Sequence, residues 1–219
     1  MALALGMLLL PPGIAAVEIN ELRIDEPGPD RREYFELRGI AGASLDGLSY
    51  IVIGDDDDGG CGSIEEWVSL DGIKLDSNGF CVVGEWDEGI VGQVLRELNF
   101  ENNDAVTHLI VRGFRGARGM DVDENDDGKL DRRPWDEILD AVSFSETAQP
   151  NCVGHEYVYS STIVPTDGSF VAGHAYRCDG VWRVGGFAWG SADTAGRSND
   201  CHDDLAREPA EHRDSIFLK

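Results

Sequence analysis

Basic residues are scarce in this sequence. Its 219 residues include 18 Lys and Arg against 42 Asp and Glu, which gives a formal net charge of −24. Because proteins bind nucleic acids by placing Lys and Arg on the phosphates, so acidic a chain disfavours DNA or RNA as a partner. Two interpretations of the excess carboxylates stay open: a surface charged for solubility, or carboxylates neutralised by bound cations.

The sequence also lacks the short motifs that mark many enzyme active sites. It has no G-x-S-x-G elbow for a nucleophilic serine, and no P-loop or G-x-G-x-x-G turn to hold a phosphate. No C-x-x-C pair is present, which removes the usual zinc-ribbon and thioredoxin-like patterns. We find no internal repeat, no long helical periodicity before the C-terminal tail and no apolar run long enough to span a bilayer.

Turn residues are abundant, with 27 Gly and 8 Pro separating short apolar runs. Hydrophobic residues make up 42% of the chain, enough for a core. Many short strands between turns predict an all-β chain, a sandwich or barrel in a single domain. The predicted strands are 17–24, with an irregularity near Asn20, then 34–37, 48–53, 67–70, 80–83, 107–111, 138–144, 156–164, 170–176 and 181–189.

The N-terminus resembles a signal peptide. An apolar run from Met1 to Leu10 is followed by the small residues Ala15 and Ala16, although no Lys or Arg precedes the run. We therefore predict a signal peptide at 1–16, a folded domain at 17–200 and a charged C-terminal tail at 201–219. Export would make the protein secreted or bound at the cell surface.

The cysteines are expected to form up to two disulfides with one thiol left over, if the protein is exported. Cys152 with Cys178 is the first pairing to consider, because these two residues flank one hairpin-like stretch. Buried free thiols are an alternative, and so is a zinc site built from Cys152-x-x-His155 and His174-x-x-x-Cys178. The five cysteines are Cys61, Cys81, Cys152, Cys178 and Cys201.

The stretch with the most specific chemistry is the acidic loop, residues 121–131. Asp123, Asn125 and Asp127 stand at alternate positions before Gly128, as in the first half of a calcium-binding EF-hand loop. Pro134 occupies the twelfth position, where an EF-hand has Glu, so the loop is more similar to those of thrombospondin type 3 and dockerin-like modules. The predicted ligands of a structural Ca²⁺ are Asp121, Asp123, Asn125, Asp127, Lys129 through its carbonyl, and Asp131.

A solvated acidic turn without an ion is the alternative for this loop. The second acidic run, Asp55 to Asp58, is predicted to be a solvated loop in preference to a second cation site, because adjacent side chains point in divergent directions.

Several motifs, taken in order, resemble a lamin tail domain of the bacterial secreted type. The opening motifs are Ile19-Asn20-Glu21, Tyr34-Phe35-Glu36-Leu37 and Leu45-Asp46-Gly47-Leu48. The later ones are Asn102 to Thr107, Asp140-Ala141-Val142 and Thr194-Ala195-Gly196-Arg197-Ser198-Asn199. The sequence departs from the family pattern at Leu48, where an aromatic residue is usual, and at Ala195, where Pro is usual. The resemblance implies an immunoglobulin-like β-sandwich, with the acidic loop as an insertion, used for interaction and not for catalysis.

The sequence therefore predicts an exported, calcium-stabilised binding module whose partner is an unknown protein or a surface glycan. The alternative is a metal-dependent hydrolase, similar to a phosphoesterase, whose metal is held by the acidic loop. The tryptophans fit either core packing or a carbohydrate-binding platform. They are Trp67, Trp86, Trp135, Trp182 and Trp189.

Overall fold

A computed structural model describes residues 16–55, 60–87, 93–102, 105–147, 157–167, 170–190 and 192–201. Within these ranges the chain forms eleven strands and no helix, so it is all-β, as predicted. The predicted signal peptide, apart from its last residue, and the predicted tail after Cys201 lie outside the described residues, as do Asp56 to Asp58. None of the described residues forms a helix that could cross a membrane.

The strands form two sheets, an arrangement consistent with the predicted β-sandwich. The six-stranded sheet has the order β11-β10-β1-β2-β5-β6, and the five-stranded sheet has the order β4-β3-β7-β8-β9. Neighbours are antiparallel except for the parallel pairs β5–β6 and β8–β9. The strands are β1 Glu18–Arg23, β2 Tyr34–Arg38, β3 Leu48–Asp55, β4 Cys61–Ser69, β5 Phe80–Gly84, β6 Val94–Leu95, β7 Val106–Arg112, β8 Glu137–Phe144, β9 Ile163–Val164, β10 His174–Cys178 and β11 Val181–Val184.

The irregularity predicted near Asn20 is present as a register shift between Ile19 and Glu21 where β1 pairs with β2. Ile19 and Leu22 both belong to the core although they are three residues apart, a spacing that a regular strand would not allow. The bulge is what lets two consecutive polar residues, Asn20 and Glu21, turn away from that core. This local distortion prepares the polar site described below.

The main core lies between the two sheets. Phe35 of β2 stacks on Tyr50 of β3, with ring centroids 3.7 Å apart and planes inclined by 4°. Both rings are fully buried, and this contact joins one sheet to the other. Large buried aromatic side chains of this kind dominate the energetics of a core.

A second core covers the outer face of the five-stranded sheet. Ile51 of β3 and Leu109 of β7 point away from the main core and are fully buried by the insertion, residues 113–136, which connects β7 to β8. The insertion contributes Val122, fully buried, and Trp135, 6% exposed. The acidic loop is thus inserted between the two predicted strands, but it belongs to an added layer of the domain.

The insertion also pairs with the edge of the five-stranded sheet. The amide of Ile64 in β4 donates to the carbonyl of Met120 at 3.0 Å, and the amide of Val122 donates to the carbonyl of Gly62 at 2.9 Å. Backbone pairing of this type covers part of an exposed strand edge, where unpaired amides would otherwise invite association with other chains.

A short internal repeat, missed in the sequence because it is only four residues long, joins two turns. Ser-Leu-Asp-Gly occurs at 44–47 and again at 69–72. The Gly47 amide donates to Asp71 Oδ1 and the Gly72 amide donates to Asp46 Oδ1, each at 2.7 Å. Both glycines have positive φ, 76° and 78°, which favours Gly over other residues. The two turns therefore cap each other.

The disulfide pairing differs from the first hypothesis. Cys178, at the end of β10, is bonded to Cys201, so pairing it with Cys152 was wrong. Cys178 is for the same reason not a zinc ligand. The physical cause is that the chain after β11 returns across the six-stranded sheet and brings Cys201 beside β10. Cys61 is also disulfide-bonded, and Cys81 is a buried free thiol.

Candidate functional site

At the base of the acidic loop lies Asp123, which is fully buried. Its carboxylate accepts hydrogen bonds from the amide of Gly128 at 2.9 Å, the amide of Asp127 at 3.2 Å and the hydroxyl of Tyr159 at 2.8 Å. Burial and this last hydrogen bond raise the pKa of the Tyr159 phenol far above its ordinary value. A buried carboxylate requires such donors, and here they fix the shape of the loop.

The other predicted calcium ligands take part in the loop's own contacts. Asp121 Oδ1 accepts from the amide of Asp123 at 2.9 Å, and Asn125 Oδ1 accepts from the amide of Asp127 at 3.1 Å. Asp127 forms a 2.9 Å ion pair with Lys129. The Lys129 side chain is 80% exposed, so this pair contributes little stability. Asp131 is exposed, and its amide donates to the carbonyl of Val122.

A different group of candidate metal ligands lies on the outer face of the six-stranded sheet. Within the described part of the chain, only Glu21, His174 and Asp193 bring three ligand atoms of His, Cys, Asp or Glu within 4.8 Å of one another. His174 Nε2 lies 2.9 Å from Glu21 Oε1 and 3.8 Å from Asp193 Oδ1. The side chains of Glu21 and His174 are fully buried, and that of Asp193 is 5% exposed.

Arg23 neutralises one side of this group. Its Nε and Nη2 donate to the two carboxylate oxygens of Asp193 at 2.7 and 2.6 Å. Its remaining hydrogen bonds go to the backbone carbonyls of Asp25, Gly186 and Phe187. All five donors of a fully buried guanidinium are therefore used, which is the condition under which a buried charge is tolerated.

The remaining partners come from the closing segment, residues 192–201. The amide and the hydroxyl of Thr194 both donate to the Glu21 carboxylate, at 2.8 and 2.5 Å. The amide of Gly196 donates to Glu36 at 2.6 Å, and Asn199 Nδ2 donates to the carbonyl of Asn20 at 3.1 Å. Three of the motifs behind the lamin tail resemblance, at 19–21, 34–37 and 194–199, thus meet in one buried polar network.

Two carboxylates in this network lie close together. Burial and, next, the nearby Glu21 carboxylate raise the pKa of Glu36 to about 8. The hydroxyl of Tyr34 donates to Glu21, and burial raises the pKa of that phenol well above its ordinary value. This shift favours the neutral form of the Glu36 carboxyl, which lowers the cost of burying it beside Glu21.

This network is solvent-excluded, and most of its polar atoms have partners, but His174 Nδ1 and Asn20 Oδ1 are buried without one. Glu21 Oε1 accepts from Tyr34, His174 and Thr194, while Asp193 is held by Arg23. A catalytic metal ion needs an open coordination position, which a solvent-excluded group of this kind does not offer. The arrangement is suited to cross-linking three parts of the chain. The sequence analysis did not identify Arg23 and Asp193 as members of this site. The one signal for them in the sequence was their position beside the motifs at 19–21 and 194–199.

A small acidic cavity of about 260 Å³ lies at one end of the six-stranded sheet. Its walls include Asp30, Glu33 and Glu85, together with residues 98–102. Glu33 is 4% exposed, and both of its carboxylate oxygens accept from the amide of Phe100, at 3.1 and 3.2 Å. Burial, reinforced by Glu85 and other nearby carboxylates, raises the pKa of Glu33 to about 8.

The tryptophans divide between core and surface. Trp135 and Trp182 are buried, whereas Trp86 and Trp189 are half-buried and pack edge-on against each other and against Tyr34. Trp67 is 42% exposed, and its ring centroid lies 5.4 Å from that of Phe114 in the insertion.

Polar side chains border this aromatic pair of Trp67 and Phe114. Trp67 Nε1 donates to Ser49 Oγ at 3.2 Å, which fixes the ring. Arg118 pairs with Glu66 at 3.4 Å on the neighbouring residue of β4. Both the exposed ring and the exposed guanidinium are available to a ligand in solution.

Comparisons with known proteins identify no relative of this chain: no protein-family model, curated protein or solved structure matches it.

Proposed function

We propose that this chain is an exported, immunoglobulin-like β-sandwich of the lamin tail kind, which acts as a binding module and whose acidic loop is stabilised by Ca²⁺. The observation that carries the proposal is the way the acidic loop is built into the domain. Its tip holds Asn125 and Asp127, while Asp123, also a predicted ligand, is fully buried at its base and bonded to Tyr159. Because the loop is anchored in this way, binding of an ion to the loop would stabilise the whole domain.

Three features of the acidic loop are compatible with Ca²⁺. The Asp127 amide is shared by Asp123 Oδ1 and Asn125 Oδ1, so these two oxygens lie on the same turn. Ca²⁺ prefers such oxygens, about six to eight of them, from flexible loops. The Lys129 ammonium already lies against Asp127, where a bound cation would replace it. Ion binding would also relieve the repulsion between the loop carboxylates.

Calcium-dependent melting tests this part of the proposal. A ligand present at about 100 times its Kd stabilises the native state by about 2.7 kcal/mol, which for a chain of this size corresponds to roughly 5–10 °C in Tm. Chelator should lower the Tm and added Ca²⁺ should restore it. Asp127→Ala, which removes the ligand oxygen, should abolish the response, whereas Glu124→Ala, which changes a non-ligand in the same loop, should keep it. A Tm indifferent to both chelator and Ca²⁺ would remove calcium from the proposal.

The surface that we assign to the partner, a protein or a surface glycan, is the aromatic pair of the exposed Trp67 and the half-buried Phe114. Accessible aromatic rings bordered by fixed polar groups are typical of binding sites. Trp67→Ser should abolish binding to cell-envelope material or purified polysaccharide and leave the Tm nearly unchanged. Phe170→Ser, at another exposed apolar side chain, is the matched control. Equal retention of binding by both variants would place the contact elsewhere.

The alternative, a metal-dependent hydrolase, has less support. A hydrolytic metal ion needs a coordination position open to water and substrate. The acidic loop, which would hold that metal, contains no histidine among residues 121–131. The other group of candidate ligands, Glu21, His174 and Asp193, is solvent-excluded, and its oxygens already have donors.

A further inference from the structure

The closing segment is held in a different way from the rest of the domain. It crosses the outer face of the six-stranded sheet, yet the two hydrophobic clusters of the described residues include no member after Val184. No apolar burial in either core therefore depends on residues 192–201. What holds these residues must be polar contacts and the covalent bond at their end.

The polar contacts are hydrogen bonds to groups on β1, β2 and β10. Thr194 contacts Glu21, and Gly196 contacts Glu36. Asn199 contacts the carbonyls of Asn20 and Arg177. On release, each of these groups would exchange its partner for water, so the net cost per hydrogen bond is small beside the cost of removing a core side chain. Release of this segment is thus compatible with an intact core.

Asp193 of this segment also forms a buried ion pair with Arg23. On release Asp193 would be hydrated, while Arg23 would keep its hydrogen bonds to the carbonyls of Asp25, Gly186 and Phe187, which lie outside the segment. Neither charge would then remain buried without a partner, which is the situation that makes a broken buried ion pair costly.

The covalent contact is the Cys178–Cys201 disulfide, which closes a loop with a sequence separation of 23 residues. The whole closing segment lies inside that loop. Cys178 is 1% exposed, whereas Cys201 is half-buried, so a reductant reaches the bond from the Cys201 side.

We propose that residues 192–201 are a redox-sensitive strap: reduction of the Cys178–Cys201 disulfide by a dithiol releases them from the polar face of the six-stranded sheet, while both hydrophobic cores stay folded. The reaction is thiol–disulfide exchange. One reductant thiolate attacks a sulfur of the disulfide and forms a mixed disulfide, and the second displaces the protein thiol. The protein gains two electrons and two protons as thiols, and the dithiol becomes a disulfide.

Release would expose a face that the closed form hides. This face carries the carboxylates of Glu21 and Glu36, the Arg23 guanidinium and the His174 imidazole, all of them buried in the closed form. This polar surface is therefore covered while the strap is bound and becomes accessible to solvent and to partners once the strap is released. The inference does not rest on the proposed calcium site or on the proposed aromatic contact surface.

Hydrogen exchange measured by mass spectrometry on the full chain tests the strap, with and without dithiothreitol. The amides of Thr194 and Gly196 should lose at least about tenfold protection on reduction, equivalent to the loss of one or two hydrogen bonds. The amides of β7, between Leu109 and Val111, should keep theirs. Cys201→Ser should reproduce the loss without reductant, and Cys81→Ser, which removes the free thiol, should not.

Two results would overturn the inference. One is unchanged protection at Thr194 and Gly196 after the disulfide is shown to be reduced. The other is a parallel loss in β7, which would mean that the segment opens only with global unfolding. If Cys201→Ser does not fold, reduction of the folded wild-type protein still decides between these outcomes.

Discussion

Raising the pH from 6.5 to 8 should destabilise this protein, because two buried glutamates must then ionise inside the fold. Burial is the main cause that raises the pKa of Glu33 and Glu36 from 4.5 to about 8. The unfolded chain has released both protons by pH 6.5, whereas the folded chain keeps them until about pH 8. The folded state binds more protons in this window, so the stability that these two groups contribute is fully present below pH 4.5 and is lost as the pH rises through about 8.

The size of the effect follows from the two pKa values. Between pH 6.5 and 8 each glutamate should cost roughly 1.6 kcal/mol of unfolding free energy, so that the pair costs about 3 kcal/mol. Two other groups with shifted pKa values titrate mostly below the range from pH 6.5 to 8. Burial lowers the pKa of His108 from 6.5 to about 3, so its opposite effect is confined to lower pH. Asp25, with a pKa raised to about 6 mainly by burial, has largely ionised by then.

Urea unfolding at a series of pH values between 6.5 and 8 measures this loss directly. Glu36→Gln should remove about half of it, since one titrating group remains. Glu137→Gln, at a mostly exposed side chain, is the matched control and should retain the full loss. A wild-type stability that is flat across the window, or an equal slope in Glu36→Gln and wild type, would refute the reasoning.

Two further predictions concern burial. Leu109 and Ile110 are adjacent residues of β7 that face opposite cores. Replacing either with Ala should lower the free energy of unfolding, measured in urea, by about 2–5 kcal/mol. A loss below about 0.5 kcal/mol for Leu109→Ala would mean that the outer core is not formed. The Cys81 thiol, 1% exposed and with a pKa raised to about 12 mainly by burial, should resist iodoacetamide at pH 8 in the native protein and react fully in denaturant; rapid native labelling would contradict its burial.

Local patterns were sufficient for much of the fold. Runs of β-branched and aromatic residues located β2, β3 and β7, and the broken alternation near Asn20 located the bulge. The position of the acidic loop between β7 and β8 also followed, because dense carboxylates and Gly exclude a strand there. These features depend on residues close together in the chain, which is the information that a sequence carries directly.

The polar network and the disulfide could not be derived in this way. Glu21 and Thr194 are separated by 173 residues, and their contact depends on where the chain returns after β11. Spacing in the chain favoured Cys152 as the partner of Cys178, and no local pattern pointed to Cys201. The outer core was missed for a related reason: Val122 and Leu130 are isolated apolar residues in an acidic stretch, and only the sheet beneath them gives them a role.

That outer core has a consequence for any attempt to shorten this protein. A long surface connection is ordinarily dispensable, and deleting one is a common first step in producing a minimal domain. Here, deletion of residues 113–136 would expose a contiguous hydrophobic surface to water and leave the edge of β4 unpaired. That surface consists of Ile51, Ile53, Leu109 and Val111. Such a truncated chain would be expected to aggregate. The acidic connection is thus an obligate part of the smallest soluble unit.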